Sequence, residues 1–368
     1  MKIAIVGTRG IPNNYGGLEE FAENVSVGLV KKGHQVIVYN PHFHPHKEST
    51  FHGVEVVKKW SPEKQIGTAA NFIYDYLSLR DALKRKVDAI LICGYTTSAI
   101  SLFFIPLNRV PIFMNIDGME WWRAKWSPMI QKLTHWFEKV AVKRSHVIIS
   151  DNLGIKDYVQ KEYNKDSYFL AYAANEILVP EESSLQEFGL QKYRYNLLIG
   201  RLEPENNIET ILDGVRDSSD TDPTVIFANY KTKYGQKLKE KYAAHPKIEF
   251  RGWASGQKTL NNLRHFAKVY FHGHSVGGTN PSLLEAMAGR AFIAAHNNPF
   301  NSSVLEKDAL YFRSPKEVQE LLDQFSVHET NRKVFTENNI NKIRNQYNWP
   351  YLVDEYEKMF LAELQKRT

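Results

Sequence analysis

Apolar and polar positions change rhythm repeatedly along the chain. Short apolar runs rich in β-branched residues, at 3–6, 35–39, 54–57, 89–93, 112–115 and 147–150, are separated by amphipathic stretches at about 17–32, 68–86 and 128–144. Runs that are apolar throughout predict strands buried on both faces, and their alternation with helices predicts a parallel, doubly wound sheet. The rhythm pauses over 173–192, around the polar, turn-rich segment "NEILVPEESSLQEFGLQKYR". It restarts with strand-like runs at 196–199, 224–228, 248–250, 269–272 and 292–295. The end, "YNWPYLVDEYEKMFLAELQKR", reads as one amphipathic helix that Pro350 can start. The expected organisation is an N-terminal α/β domain over 1–172, a linker over 173–192, a second α/β domain over 193–347 and a closing helix over 348–368.

Composition narrows the possible classes. With 43% hydrophobic and 12% aromatic residues, a chain of 368 residues can bury two ordinary cores and is not a disordered polymer. A net charge of +6 favours anionic partners such as nucleotide phosphates, acidic lipid or nucleic acid. Of these, the motifs at strand ends favour the nucleotide, and no nucleic-acid partner is expected. Cys93 is the only cysteine, so no intrachain disulfide can form, and its apolar surroundings suit a small buried hydrophobe. The first residues lead straight into an apolar run and are expected to be a first strand and not a signal peptide. The apolar stretch 99–107 is too short and too broken by proline to span a bilayer, so a cytoplasmic location is expected. No short-period repeat or low-complexity tract is present.

Ligands of open α/β sheets bind beyond the C-terminal ends of the strands, so the informative residues lie just after the apolar runs. The first run leads into "GTRGIPNNYGGLEEF", where Gly16 and Gly17 precede a helix whose amides and dipole suit a phosphate. The spacing of Gly7 and Gly10 does not make G-x-G-x-x-G, and Asn40 stands where a dinucleotide fold carries an acid. A dehydrogenase is therefore disfavoured. In the second half, "LLIGRLEPENNIETIL" places Arg201 just past a strand, where a guanidinium suits bidentate contact with a diphosphate. "GHSVGGTNPSLLEAMAG" repeats the strand–turn–helix arrangement, with Gly277, Gly278, Thr279 and Asn280 in the turn and Glu285 on the helix.

In this order, these segments resemble the GT-B-fold, family 4 retaining glycosyltransferases over nearly the whole chain. "GGLEEFAENVSVGLVKKGHQVIVY" is similar to their glycine loop, first helix and following strand, "GRLEPEN" to their G-R-L-x-P-E-K segment, and "PSLLEAMAGR" to their P-x-x-x-L-E-A-M-A-x-G segment. The resemblance implies two Rossmann-like, doubly wound domains facing a cleft, with the closing helix crossing back to the N-terminal domain. It implies that Gly16 and Gly17 approach a donor diphosphate, that Arg201 neutralises it, and that Gly278 and Thr279 offer backbone amides. Glu285 would hold the nucleotide ribose, Asn206 and Asn207 would line the donor site, and Trp253 would either border the base or serve as a core aromatic. The donor would be a UDP- or dTDP-linked sugar, with no further cofactor and no metal.

Three departures carry information. The family's lysine after the arginine is replaced by the Asn206–Asn207 stretch, its first acid by Gly277, and the histidine of its HG-[LM]-[ED]-W segment by Asp117 in "NIDGMEWWRAKW". The combination resembles the rhamnosyltransferase-type branch that builds bacterial capsule and O-antigen units. Arg9 or Lys231 is expected to stand in for the lysine. Asp117 would orient the acceptor hydroxyl, stabilise charge at the sugar, or cap a loop. A retaining transfer needs no strong protein base, because the departing diphosphate can take the acceptor proton.

The segment "EWWRAKWSPMIQKLTHWFEKVAVKRSH" mixes aromatic and basic residues, which suits an inner membrane surface and a polyprenyl-diphosphate-linked acceptor. Trp121, Trp122, Arg123, Lys125 and Trp126, with Arg9, are the expected acceptor or membrane face. His42, His44 and His46 lack an acid or cysteine to complete a metal shell, and Asp220-Thr221-Asp222 precedes a strand instead of following one. Both are read as incidental. A nucleotide-sugar epimerase and a non-catalytic sugar-nucleotide binding protein remain the alternatives.

Overall fold

The computed structural model describes residues 1–106, 108–177, 179–254 and 256–367. Leu107 of the apolar stretch 99–107, Leu178 of the expected linker and Thr368 of the closing segment lie outside the described residues. The chain divides into two compact units. Unit 1 comprises 1–122, 126–173 and 349–368, and unit 2 comprises 123–125 and 174–348.

Unit 1 is built on eight strands: β1 (Lys2–Val6), β2 (Gln35–Pro41), β3 (Thr50–Phe51), β4 (Val54–Lys59), β5 (Ala89–Ile92), β6 (Ile112–Ile116), β7 (Val147–Ser150) and β8 (Tyr168–Phe169). Their order in the sheet is β3-β4-β2-β1-β5-β6-β7-β8. All pairs are parallel except the β3–β4 ribbon. Ile3, Ala4, Ile5 and Ala89 to Ile92 are fully buried, as central strands covered by helices on both faces must be. Strand β2 runs two residues past its predicted end because Asn40 and Pro41 pair with Lys58 and Lys59 of β4.

Helices Gly17–Lys31, Ala70–Lys84 and Pro128–Arg144 lie where the periodicity predicts them. Helix Trp349–Gln365 packs within unit 1. A Cβ added to Gly28 would lie 2.5 Å from Val353 Cγ2, and Phe21 meets Tyr356 edge-on at 5.4 Å. Lys32 contacts Asp354 and Glu357 at 2.8 and 2.7 Å, and Tyr168 donates to Glu363 at 2.6 Å.

Unit 2 carries a wholly parallel six-stranded sheet: β9 (Asn196–Ile199), β10 (Thr224–Phe227), β11 (Ile248–Arg251), β12 (Val269–His272), β13 (Ile293–His296) and β14 (Leu310–Phe312). The order β11-β10-β9-β12-β13-β14 reverses direction between β9 and β12. Its core is assembled around Leu198, Ile211, Leu212, Phe271, Phe292 and Phe312. The Asp220–Asp222 tripeptide is structural. Both carboxylates hold Lys268 Nζ, at 2.6 and 2.9 Å.

Candidate functional site

In a doubly wound sheet the loops leaving the two strands at the point of reversal splay apart, which leaves a crevice at their C-terminal ends. In unit 2 those strands are β9 and β12, and their loops carry Arg201 and the glycine turn. The loops are tied to one another. Ser275 donates from its amide and hydroxyl to the Glu205 carbonyl at 3.0 and 2.8 Å. Asn207, held at φ 50°, donates from Nδ2 to the Gly273 carbonyl at 2.8 Å. The approach is so close that a Cβ on Gly273 would fall 2.0 Å from the Asn206 carbonyl oxygen. Asn206 is buried and donates to the Arg201 carbonyl at 2.8 Å. The two asparagines expected to line a donor site therefore spend their side chains on loop backbone, while the Arg201 side chain is exposed.

Beyond Gly273 the turn opens into a small pocket lined by His274, Val276, Gly277, Gly278, Asn280, Phe300 and Asn301. Gly277 has φ 127°, a conformation that disfavours any side chain, yet among the described residues nothing stands within 4 Å of where its Cβ would be. Thr279 is buried, and Asn280 caps helix Pro281–Ala288, its Oδ1 accepting from the Ser282 amide at 3.0 Å. The His274 carbonyl is pinned by Asn298 and Asn301 at 3.0 and 2.9 Å.

Two groups here were not singled out from sequence. His272 and His274 stack at 4.5 Å, and both are held neutral. Burial pushes His272 well below the ordinary histidine range, and burial with the charges of Arg201 and Arg123 brings His274 down to about 3. Arg264, 1% exposed, places Nη2 2.6 Å from Glu285 Oε2 and donates from Nη1 to Asn261 at 3.0 Å. The signal was present, because Arg264 falls on the stripe of Leu260, Leu263 and Ala267 where an apolar residue is expected. Trp253 is 60% exposed, so it is no core aromatic, and Lys231 is exposed beyond β10.

In unit 1 the point of reversal lies between β1 and β5. The loop after β1 is fixed by Asn40, which accepts from the Ile11 amide at 3.0 Å and donates to the Ile11 carbonyl at 2.7 Å. Gly10, at φ 93°, leaves room for that asparagine. Arg9 is engaged inside the unit. Its guanidinium meets Glu63 at 2.7 Å and lies over the Tyr15 ring at 4.1 Å, and its amide donates to Glu19 at 2.8 Å. Gly16 and Gly17 do open a helix, but its first turn carries Glu19 and Glu20, which offset the positive end that a phosphate would seek.

Asp117 follows β6 and is part-exposed, with the next residue, Gly118, at φ 145°. Burial, together with Asp117, Glu19 and Asp75, pushes the Cys93 thiol well up, leaving it unreactive. Within the expected membrane face the residues differ in exposure and partners. Trp121 donates to the fully buried Glu138 at 3.1 Å and stacks on His135 at 4.5 Å, whereas Trp122, Lys125 and Trp126 are exposed. Arg123 belongs to unit 2, with Nη1 3.5 Å from Glu205 Oε1.

Residues 1–175 match a family described as a domain of unknown function (DUF1972). An uncharacterised glycosyltransferase of Methanocaldococcus jannaschii is 24% identical over 249 residues, and the match spans 62% of this chain and 62% of that relative. Among solved structures, the sucrose-phosphate synthase of Thermosynechococcus elongatus aligns with a TM-score of 0.81 at 12% identity, covering 100% of both chains. Anabaena HepE in complex with UDP aligns with a TM-score of 0.73 at 12% identity, covering 98% of this chain and 100% of that one. At such identities the likeness is one of fold: an α/β chain of two parallel-sheet, Rossmann-like units, as in GT-B glycosyltransferases.

Proposed function

We propose that this chain is a retaining glycosyltransferase that takes a sugar from a nucleotide diphosphate donor. The observation that carries the reading is the pair of loops tied together at the β9–β12 reversal. They set an exposed guanidinium, a glycine turn and an ion-paired carboxylate at one sheet edge. Arg201 and the amides of the turn would receive the diphosphate, and Glu285, oriented by Arg264, would accept from the ribose hydroxyls. The UDP bound by the HepE structure supports a nucleotide of that kind here.

In the transfer, the acceptor hydroxyl oxygen bonds to the anomeric carbon as the bond from that carbon to the diphosphate oxygen breaks. The hydroxyl proton passes to the departing phosphate. The contribution of the protein is then positioning and stabilisation of leaving-group charge, which Arg201 supplies without a resident metal. Asp117 orients the acceptor hydroxyl. Rhamnose is the sugar favoured by the open space at Gly277, where an acid reaching further sugar hydroxyls is missing. A polyprenyl-diphosphate-linked saccharide of capsule or O-antigen assembly, at the inner membrane face, is the acceptor. Among the described residues, no helix is long and apolar enough to cross a membrane.

The test is a thermal-shift panel of UDP-, dTDP- and GDP-sugars on the full chain, followed by product analysis with and without acceptor and with EDTA. A donor that raises Tm, and an acceptor-dependent glycoside formed at the same rate in EDTA, are expected. A sugar isomer released without acceptor would replace this reading with epimerisation. Binding without turnover would leave only a sugar-nucleotide binding protein.

A further inference from the structure

Helix Pro128–Arg144 buries one side in unit 1 through Thr134, Phe137, Glu138 and Ala141. Its other side is unusual for an exposed surface. Met129, Leu133 and Trp136, spaced at four and three residues, form an apolar stripe on solvent, and Met129 is 75% exposed. Trp136 extends the stripe sideways by stacking on the exposed Phe103 at 6.2 Å, with Phe104, 70% exposed, next in the chain. Phe103 is in turn held by Arg144, whose guanidinium lies 4.7 Å over its ring.

Lys132, Lys139 and Lys143 fall on the same exposed side, within 60° or so of the stripe at about 100° per residue. The only acid of this helix is Glu138, which is fully buried. An apolar stripe bearing tryptophan and flanked by lysines suits the boundary between acyl chains and anionic headgroups. A second copy of the chain is a poor occupant, because a two-fold contact would set the lysines of one helix against those of the other.

We propose that the Met129–Leu133–Trp136 stripe, with Phe103 and Phe104, is a docking surface for an anionic lipid bilayer. Its residues are other than those of the 121–126 loop. It deepens the lipid-linked acceptor reading and rests on it for its purpose, but vesicle binding is measured with neither donor nor acceptor. The two therefore fail separately: vesicle binding without transfer to a lipid-linked saccharide overturns only the acceptor, and transfer in detergent without vesicle binding overturns only the surface.

The experiment is flotation of the full chain with pure phosphatidylcholine vesicles and with mixed phosphatidylcholine–phosphatidylglycerol vesicles. Binding to the mixed vesicles alone, weakened by salt, is expected. Lys132→Glu/Lys139→Glu/Lys143→Glu lowers the partition coefficient on the order of a hundred-fold. Met129→Ser/Leu133→Ser/Trp136→Ser lowers it about ten-fold or more. The lysine variant alters exposed side chains and keeps the parent Tm, and the serine variant, which gives up the Trp136–Phe103 stacking, still melts in one cooperative transition. A charge-matched control on unit 2, Lys237→Glu/Lys316→Glu/Lys333→Glu, retains binding. Equal loss in that control, unchanged binding in either stripe variant, or a dimer that the serine variant dissolves would each overturn the proposal.

Discussion

Arg264 occupies a position that the periodicity of its helix assigns to an apolar side chain, and its burial is tolerable because Glu285 neutralises it at 2.6 Å while Asn261 accepts from Nη1. The pair is lopsided, with the arginine side chain 2% exposed and the glutamate 20%. Glu285→Ala strands a buried cation and should cost on the order of 3–5 kcal/mol in urea unfolding, whereas Arg264→Met leaves a carboxylate that water can reach and should cost less. A larger loss in Arg264→Met would reverse that assignment of burial. Arg201→Ala removes an exposed group, so Tm should hold while donor KM rises about ten-fold or more, the worth of a charge-assisted contact. Asp75 in unit 1 carries a pH signature, because burial pushes its carboxyl from 3.8 to about 7 against the single hydroxyl of Thr97. Between these values the folded chain keeps a proton that the unfolded chain releases, so stability falls as pH rises from about 4 to 7 and is level above. Asp75→Asn still accepts from Thr97 and should raise stability at pH 8 by about 4 kcal/mol while changing little at pH 4. Equal Tm gains at both pH values would show that ionisation is not the cause. Of these residues, Arg201 and Glu285 were legible because each sits at a fixed place in a strand–turn–helix sequence. Arg264 and Asp75 were not, because their significance comes from what the fold packs around them.

Elements were legible wherever their signals are local. Ser127-Pro128, Asn280-Pro281 and Ser314-Pro315 each cap a helix and open it with proline, and Ser314 completes a capping box with Glu317. The two-residue strands β3 and β8 carried no such signal, since an edge strand that short exists only because a neighbour pairs with it. The backbone partners of Asn206 and Asn207 were hidden for a related reason. Asn207 looks available for a ligand until Gly273, 66 positions along the chain, claims its side chain, and Asn206 turns back onto the Arg201 carbonyl of its own loop. Gly273 is the point at which that contact is tightest, and Gly273→Ala should force the two loops apart, costing about 1–3 kcal/mol of stability and weakening donor binding together. A thermal melt and a donor titration on the same sample check both. Unchanged donor affinity would separate the loop contact from the site.

At the scale of the whole molecule, each unit places its loops by the same device, a reversal of strand order between β1 and β5 in one sheet and between β9 and β12 in the other. The built-in Glu19 and Glu20 make the unit 1 helix start the less hospitable to a phosphate. Hydrogen exchange with bound nucleotide should therefore protect 200–206 and 273–285 more than 7–17, and the reverse ranking would move the diphosphate to unit 1. The sequence by itself determined two series of buried strands and amphipathic helices, the glycine turns between them, and the sites of Arg201 and Glu285. Those follow from hydrophobic period, capping and backbone freedom, which act over a few neighbouring residues. Only the tertiary structure decided that β9 lies beside β12, that Arg264 meets Glu285, that Arg123 meets Glu205, and that Trp136 stays half-exposed against Phe103. Parallel strands are joined through crossovers, so their order, and every contact that depends on it, is settled by how both faces of the sheet are covered.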